Sequence, residues 1–277
     1  MHLRTYVHVM SYEYEEIYLN TILKPIRACE SYKPNLGHKK RNGYSLMEFK
    51  ELYGNDPFYH WLGLDDSLMY AAHRAAGGMT SIYRQIGIGF ENLFRLILQD
   101  TLDLSDEQVR WSYNVRRVDN EMRKLSLDGR IPVDEISDKN AKDRICSWLN
   151  DVTDLLEINP AVASSIKGVV FEVRQGYKSK DSKRQNADIA NAAAAYTSAY
   201  LPCALILSTQ IDEDIYFRYR AEKWMLLTGR TDSTTPLVST YAFMKNVIGY
   251  DLASFLQRNS DTLRAEIGQI LQALLKP

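Results

Sequence analysis

The sequence predicts a mixed α/β protein, and three segments support this prediction. Residues 168–207 read as a short apolar strand, an alanine-rich helix from about Asn186 and a second apolar strand. Residues 90–97 place apolar side chains at i, i+3, i+4 and i+7, which is the spacing of an amphipathic helix. Residues 1–80 have a helical, tyrosine-rich pattern interrupted by loop residues. Strands that alternate with helices are typical of a layered α/β fold.

The composition is that of an ordinary globular protein with one large or two small domains. The chain has 277 residues, of which 45% are hydrophobic and 25% are charged, and no apolar run approaches the ~20 residues of a transmembrane helix. Cys29, Cys146 and Cys203 are scattered without paired spacing, and the N-terminus lacks the apolar segment of a secretory signal. We therefore expect a cytoplasmic, prokaryotic-type protein with neither a membrane partner nor an organic cofactor.

Charge and motif content argue against several function classes. The net charge of −1 argues against a general polyanion binder, although it is compatible with a DNA enzyme that gathers positive charge in one cleft. The five histidines are early and irregularly spaced, with no HExxH and no Ser/His/Asp order. Gly87 and Gly89 lack both the preceding strand and the following Gly-Lys-Ser/Thr of a phosphate-binding loop.

The middle of the chain introduces the first candidate acids. The amphipathic helix carries Glu91, which lies either on a solvated flank or aimed across a cleft. Trp111–Val118 reads as a strand. Residues 125–136 read as two extended pieces joined by a turn at Asp128–Gly129, and Pro132 restricts the second piece to an edge strand or a strand start.

The remaining segments continue the alternation. Residues 144–156 have the spacing of an amphipathic helix. Residues 212–220 read as an acidic turn followed by a strand, in which Phe217 and Tyr219 would face one way. Residues 251–275 read as one or two amphipathic helices, usable for core packing or for a partner.

Glu172 is the most informative single residue, because it is a carboxylate inside an apolar strand. Side chains alternate across a strand, so Glu172, Arg174 and Lys178 share one face if the strand continues that far. A buried acid costs several kcal/mol unless a cationic side chain or a metal ion compensates it. The alternatives are a solvated edge position and a structural ion pair with Arg174.

Asp134 is the second candidate acid, because it follows the apolar residues Ile131-Pro-Val133 and has few local partners. A helix N-cap or a loop position is the alternative. Asp128 is explained as the turn residue, whereas Asp151 and Asp154 belong to the polar face of their helix. Two acids from separate strands can bind Mg²⁺, which activates water and stabilises charge in phosphodiester hydrolysis. We therefore expect Asp134 and Glu172 to share a magnesium ion.

A basic turn follows the strand that carries Glu172. Its cations suit backbone phosphates, and the two amides after it suit adenine edges. On the following strand, Arg218 and Arg220 either line the same groove or lie on the surface. The candidate DNA-binding residues are Lys180, Lys183, Arg184, Gln185, Asn186 and Arg218, next to Lys178.

Phe171-Glu-Val-Arg174, together with Asp134 after Pro132, resembles the bipartite PD…(D/E)XK signature of type II restriction endonucleases. The helix that begins Gly89-Phe90-Glu91 is similar to the first core helix of that family, where a glutamate often supports the metal site. The resemblance covers roughly residues 85–210. One departure is that Arg174 occupies the position of the family lysine, and an arginine cannot exchange a proton with water. Lys178 or Lys180 would then replace the lysine, or Arg174 would only orient phosphate.

The resemblance implies a restriction-endonuclease-like central sheet flanked by helices and magnesium-dependent cleavage of double-stranded DNA by a homo- or heterodimer. It implies catalytic roles for Asp134, Glu172 and Arg174, with help from Glu91 and Lys178. With a boundary near Gly77–Gly78, residues 81–277 would form the nuclease domain. Residues 1–80 would be a helical region for DNA contact or dimerisation.

Three functional hypotheses follow. The first is a sequence-specific DNA endonuclease, which depends on Asp134 and Glu172 meeting at one ion. The second is a non-catalytic DNA-binding protein on a nuclease-like scaffold, in which Arg174 marks a lost active site. The third is a helical interaction protein whose strand acid is only an ion pair.

Overall fold

The computed structural model describes residues 2–37, 42–116, 120–176 and 182–276, and for residues 2–13, 116 and 182–189 it describes the backbone. The helices in chain order are α1 (His2–Arg27), α2 (Leu46–Gly54), α3 (Pro57–Trp61), α4 (Ser67–Leu102), α5 (Lys139–Leu155), α6 (Pro160–Ala163), α7 (Ser182–Thr197), α8 (Glu213–Ala221), α9 (Thr240–Phe243), α10 (Leu252–Arg258) and α11 (Ser260–Leu275). A 3₁₀ turn spans Val133–Glu135 and a π-helical turn spans Met244–Ile248. The strands are β1 (Trp111–Arg116), β2 (Met122–Leu127), β3 (Gly129–Pro132), β4 (Gly168–Arg174), β5 (Leu201–Ile206) and β6 (Met225–Leu227).

The described chain is mixed α/β, as the sequence predicts. In a two-stranded sheet, β1 pairs antiparallel with β2. In a four-stranded sheet of order β3-β4-β5-β6, β3 is antiparallel to β4, whereas β4, β5 and β6 are parallel. Helix α7 joins the parallel strands β4 and β5, so the predicted strand–helix–strand unit is confirmed.

The chain divides into two compact units, residues 1–89 with 258–277 and residues 90–257. The first unit is helical, and Arg27 of α1 forms an ion pair of 2.5 Å with Glu266 of α11. Its core side chains include Ile22, Leu23, Ile26, Phe49 and Leu274.

The glycine pair at Gly77–Gly78, predicted as a domain boundary, lies inside α4. A Cβ atom at Gly78 would come within 2.7 Å of the Leu274 side chain of α11. Glycine at this position therefore serves close helix packing, and α4 continues through it.

The second unit buries the four-stranded sheet on both faces. On one face, Val170 of β4 belongs to a buried cluster with Ala192 and Ala195 of α7. On the other face, the Phe171 ring packs against Phe94 at 4.9 Å and Phe243 at 5.7 Å between ring centroids. A strand buried on both faces reads as a continuous apolar run, which is the pattern of β4.

Two sequence predictions of local structure are wrong. Asp128–Gly129 is not a hairpin turn, because β2 pairs with β1 and β3 pairs with β4, and Asp128 marks the break between β2 and β3. Residues 213–221 form helix α8 instead of a strand. The Asp212 side chain caps this helix by accepting a hydrogen bond from the Asp214 N–H. Ile215 and Tyr219, four residues apart and therefore on the same side of the helix, are buried.

Candidate functional site

The candidate site lies at the carboxyl end of β4. Because β4 and β5 are parallel, their carboxyl ends meet at one edge of the sheet. Strand β3 is antiparallel to β4, so the chain enters β3 at this same edge, through Asp128. The chain segment around Asp128 and the last residues of β4 therefore lie at the same end of the sheet.

Glu172 and Arg174 occupy the last positions of β4 and share one face, as predicted. The Arg174 Nη2 atom forms an ion pair with the Glu172 carboxylate. The side chains are 10% and 14% exposed, so the pair is largely withdrawn from water. They lie on the face of β4 that carries Val170 and packs against α7.

Asp128 lies beside the Phe171–Val173 segment of β4, directly before the first residue of β3. Gly129, which pairs with Phe171, is the last residue of the regular β3–β4 register at this end. The Asp128 N–H donates to the Phe171 carbonyl at 2.7 Å, and the Asp128 Oδ2 atom accepts from the Val173 N–H at 2.8 Å. The side chain thus takes over the strand pairing where the β3 backbone leaves it.

Helix α4 holds the break between β2 and β3 in place. The Arg95 guanidinium donates to the Asp128 carbonyl at 2.8 Å. Next to it, Phe94 packs so closely on Gly129 that a Cβ atom there would lie 2.7 Å from the ring. The Asp-Gly dipeptide therefore combines a carboxylate with a close approach of helix to strand.

Glu91 lies one helical turn before Arg95 on α4 and is partly buried. Burial lowers the pKa of the Arg95 guanidinium below its ordinary value, and the positive charge of Arg110 acts in the same direction. The negative charges of Asp128 and Glu91 act in the opposite direction on the same group. Both acids are therefore close enough to Arg95 to interact with it.

The predicted pairing of Asp134 with Glu172 is wrong. Asp134 follows the other end of β3, where Pro132 pairs with Gly168 at the amino end of β4. Four residues separate Gly168 from Glu172, which is roughly 13 Å at the rise of a strand. The Asp134 side chain is 83% exposed, and its carboxylate lies 3.2 Å from the Lys142 ammonium on α5. Asp134 therefore occupies the opposite end of the strand, in water.

The predicted basic residues have different positions. Lys178 and Lys180 lie outside the described residues. For Lys183, Arg184, Gln185 and Asn186 the structure describes the backbone, which belongs to the first turns of α7. Arg218, predicted on a strand, is exposed on α8.

We call Asp128, Glu172 and Arg174 the carboxyl-end cluster. No group of three or more His, Cys, Asp or Glu side chains within the described residues is arranged as a metal site. Magnesium usually takes one or two protein carboxylates and completes its octahedron with water and phosphate oxygens. The cluster supplies two carboxylates, which matches this number of protein ligands.

Sequence reasoning missed Asp128, because Asp-Gly is a common turn signal. A different signal was present. Asp128 is the sole acid in the extended run 122–132, just as Glu172 is the sole acid in 168–174. An isolated acid within each of two extended segments is a better guide to the site than the distance of an acid from Pro132.

Comparison of the chain with protein-family models, with curated proteins and with solved structures finds no match. No helix in the part of the chain that the structure describes has the length and hydrophobicity to span a membrane. The geometry of the site therefore carries the functional inference.

Proposed function

We propose that this protein is a Mg²⁺-dependent endonuclease that cuts double-stranded DNA at a specific sequence, on a restriction-endonuclease-like fold. The observation that carries the proposal is the position of Asp128, whose carboxylate binds the Val173 N–H next to Glu172 at the carboxyl end of β4. With the Glu172–Arg174 ion pair, two acids and one cation lie at the carboxyl end of β4.

The order of the elements also supports the proposal. The helix with Glu91, the acid between β2 and β3, the strand with Glu172, then α7 and β5 follow one another in the chain. The resemblance of the sequence to restriction endonucleases implies this same order. Asp128 replaces Asp134 as the first acid, and the rest of the motif is unchanged.

Each residue of the cluster has a separate task. Magnesium, when bound, supplies an activated water and stabilises negative charge on the phosphate. The carboxylates of Asp128 and Glu172 would hold the ion, and the Val173 N–H fixes the orientation of Asp128. Arg174 stays protonated, so it neutralises Glu172 and orients a phosphate oxygen without accepting a proton.

Glu91 has a supporting role in this proposal. Its carboxylate and that of Asp128 both interact with Arg95, which itself binds the Asp128 carbonyl. Glu91 therefore contributes charge close to the first metal ligand. Lys178 or Lys180 remains the candidate for the family lysine.

DNA contacts and assembly belong to the same proposal. A duplex has two strands and each cluster cuts one, so a homo- or heterodimer would bring two clusters to one site. The basic run from Lys178 to Arg184 follows β4 directly and would contact phosphates beside the cluster. Arg218 on α8 is a further phosphate contact.

A non-catalytic DNA-binding protein is the second candidate, and the close Arg174–Glu172 ion pair favours it. In that case the pair would be a structural replacement for the metal site. Binding of DNA would then persist without any cutting.

The decisive experiment is digestion of mixed-sequence duplex DNA by the full chain, with Mg²⁺ or with EDTA, followed by mapping of the fragment ends. The endonuclease proposal predicts discrete fragments in Mg²⁺ alone, whose ends share one short sequence. A gel-shift assay on the same DNA, in EDTA, measures binding separately.

The outcomes separate the candidates. Cutting in Mg²⁺ and none in EDTA supports the endonuclease. Binding without cutting overturns the endonuclease and supports the second candidate. A folded protein that neither binds nor cuts duplex DNA overturns both.

A further inference from the structure

Strands β1 and β2 form a ribbon that is separate from the four-stranded sheet. Its register pairs Ser112 with Ser126 and Asn114 with Lys124. Because directly paired residues point to the same side of an antiparallel ribbon, these four side chains share one face. We call this face, with Met122 at its far end, the outer face.

The opposite face fixes the ribbon to the second unit. Trp111 and Leu127 are buried in the cluster that contains Val170 and the alanines of α7. Tyr113 packs against this cluster, and its hydroxyl donates to the Asn191 Oδ1 atom of α7 at 2.6 Å. The core therefore determines which way the outer face points.

The outer face is exposed and rich in hydrogen-bonding groups. Ser112, Asn114, Lys124 and Ser126 are all exposed, and the Met122 side chain is 61% exposed. None of these five residues is acidic. In a ribbon with one buried face, apolar and polar residues ordinarily alternate, so the polar residues point to solvent. On this outer face they present amide, hydroxyl and ammonium groups in a row.

The ribbon leads directly into the carboxyl-end cluster. Strand β2 ends at Leu127, and Asp128 follows. Since β3 is antiparallel to β4, a chain that enters β3 at Asp128 comes from beyond the carboxyl end of β4. Six residues of β2 span roughly 20 Å at the rise of a strand, which is enough to follow a groove from the site of cutting.

Charge also favours a nucleic-acid partner at the ribbon. Residues 111–127 contain four Lys or Arg and two Asp or Glu, whereas the whole chain has a net charge of −1. Positive charge is thus concentrated in this segment. Such a local excess attracts the phosphate backbone.

We propose that the outer face of the β1–β2 ribbon enters the major groove of duplex DNA and reads base edges, with Asn114 and Lys124 as the specificity-determining residues. The major groove is about 12 Å wide and admits a two-stranded ribbon. Asparagine suits adenine, lysine suits guanine, and serine suits either purine or pyrimidine edges. This inference rests on the proposed function, because it assigns the base-reading part of the same DNA complex.

The test selects bound sequences from a pool of random duplex DNA, in EDTA, so that metal-dependent cutting does not occur. The full chain and the double variant Asn114→Ala/Lys124→Ala are compared. The matched control is Lys139→Ala/Asn140→Ala, which removes the same two exposed residue types on α5, near the amino end of β4.

We expect the unchanged chain and the control to enrich the same short sequence. The ribbon variant should lose preference at one or more positions by roughly tenfold to a hundredfold for each contact, the range of a good base contact. Its binding to unrelated DNA should stay within about threefold, because phosphate contacts carry that term.

Each result supports or overturns the inference. Enrichment of an unchanged sequence by the ribbon variant overturns it and leaves the endonuclease proposal intact. Binding by the unchanged chain without any enrichment overturns it as well. No binding of duplex DNA by the folded chain overturns both proposals, and that outcome is distinguishable from the other two.

Discussion

An acid and a cation form a pair near each end of β4, but the two pairs differ strongly in their exposure to solvent. At the carboxyl end, Glu172 and Arg174 form a pair that is 10% and 14% exposed. At the amino end, Asp134 and Lys142 form a pair that is 83% and 35% exposed. An acid beside a cation is therefore not by itself a site.

The difference lies in what holds each acid. Asp128 accepts a hydrogen bond from the Val173 backbone, and its own carbonyl is bound by Arg95. Asp134 stands on a single 3₁₀ turn, and the structure assigns Lys142 as its partner across 3.2 Å. Exposed pairs of this kind contribute about 0–1 kcal/mol and are screened by salt. In this protein, the acid that backbone and side-chain hydrogen bonds hold in place lies at the carboxyl end of β4.

Pocket size does not decide between the two ends. A pocket of about 360 Å³ opens beside Asp134 and Lys142. A DNA duplex is bound along an open edge or groove of a protein, so it needs no closed pocket of that size.

The largest expected effect on DNA cleavage comes from replacing the acid near the carboxyl end of β4 by its amide, compared with the same replacement near the amino end. Asp128→Asn keeps an oxygen that accepts the Val173 N–H but removes the metal-binding charge. We expect Mg²⁺-dependent cleavage of duplex DNA to fall at least about a hundredfold, because the metal contributes several kcal/mol. The measurement is the initial cleavage rate in Mg²⁺.

Asp134→Asn is the matched control, and its cleavage rate should stay within about twofold of the unchanged chain, since surface substitutions cost little. A large loss for Asp134→Asn with none for Asp128→Asn would restore the original prediction and contradict the structure. Thermal melting of both variants checks that each is folded.

The sequence predicted the buried strand, the acid within it and the cation two residues later, because these depend on local alternation. Glu172 and Arg174 therefore lie where the pattern indicates. It failed at Asp128, since only the pairing of β3 with β4 distinguishes a strand break from a hairpin turn. It also failed at Asp134, because strand direction decides which end of β4 an acid reaches. Register and direction are long-range properties that one segment does not contain.

The next largest effect concerns stability at the buried pair. Glu172→Gln leaves the Arg174 charge buried and less compensated, so we expect the free energy of unfolding to fall by about 3–5 kcal/mol. The double variant Glu172→Gln/Arg174→Met should recover part of this loss. Urea denaturation measures both values.

The exposed pair provides the comparison for this prediction. Lys142→Met should change the free energy of unfolding by no more than about 1 kcal/mol. Equal losses at the two ends of β4, with no recovery in the double variant, would contradict the difference in burial on which the assignment of the site depends.

A smaller effect concerns the packing that positions Asp128. Gly129→Ala places a Cβ atom 2.7 Å from the Phe94 ring, so we expect a loss of about 1–3 kcal/mol from overpacking. Gly268→Ala on α11 is the control, because nothing lies within 4 Å of its Cβ position. Alanine in a helix interior stabilises by roughly 0.5–1 kcal/mol, so the two variants should change stability with opposite signs. A stabilised Gly129→Ala protein would show that Phe94 does not hold the strand break.

The most direct test maps where a divalent ion sits on the full chain. Fe²⁺ replaces Mg²⁺ in the presence of duplex DNA, ascorbate and peroxide, and mass spectrometry locates the breaks in the protein backbone. The account predicts breaks near residues 127–129 and 171–174 that excess Mg²⁺ suppresses. Breaks near residues 133–142, or no localised breaks in a protein that cuts DNA, would contradict it.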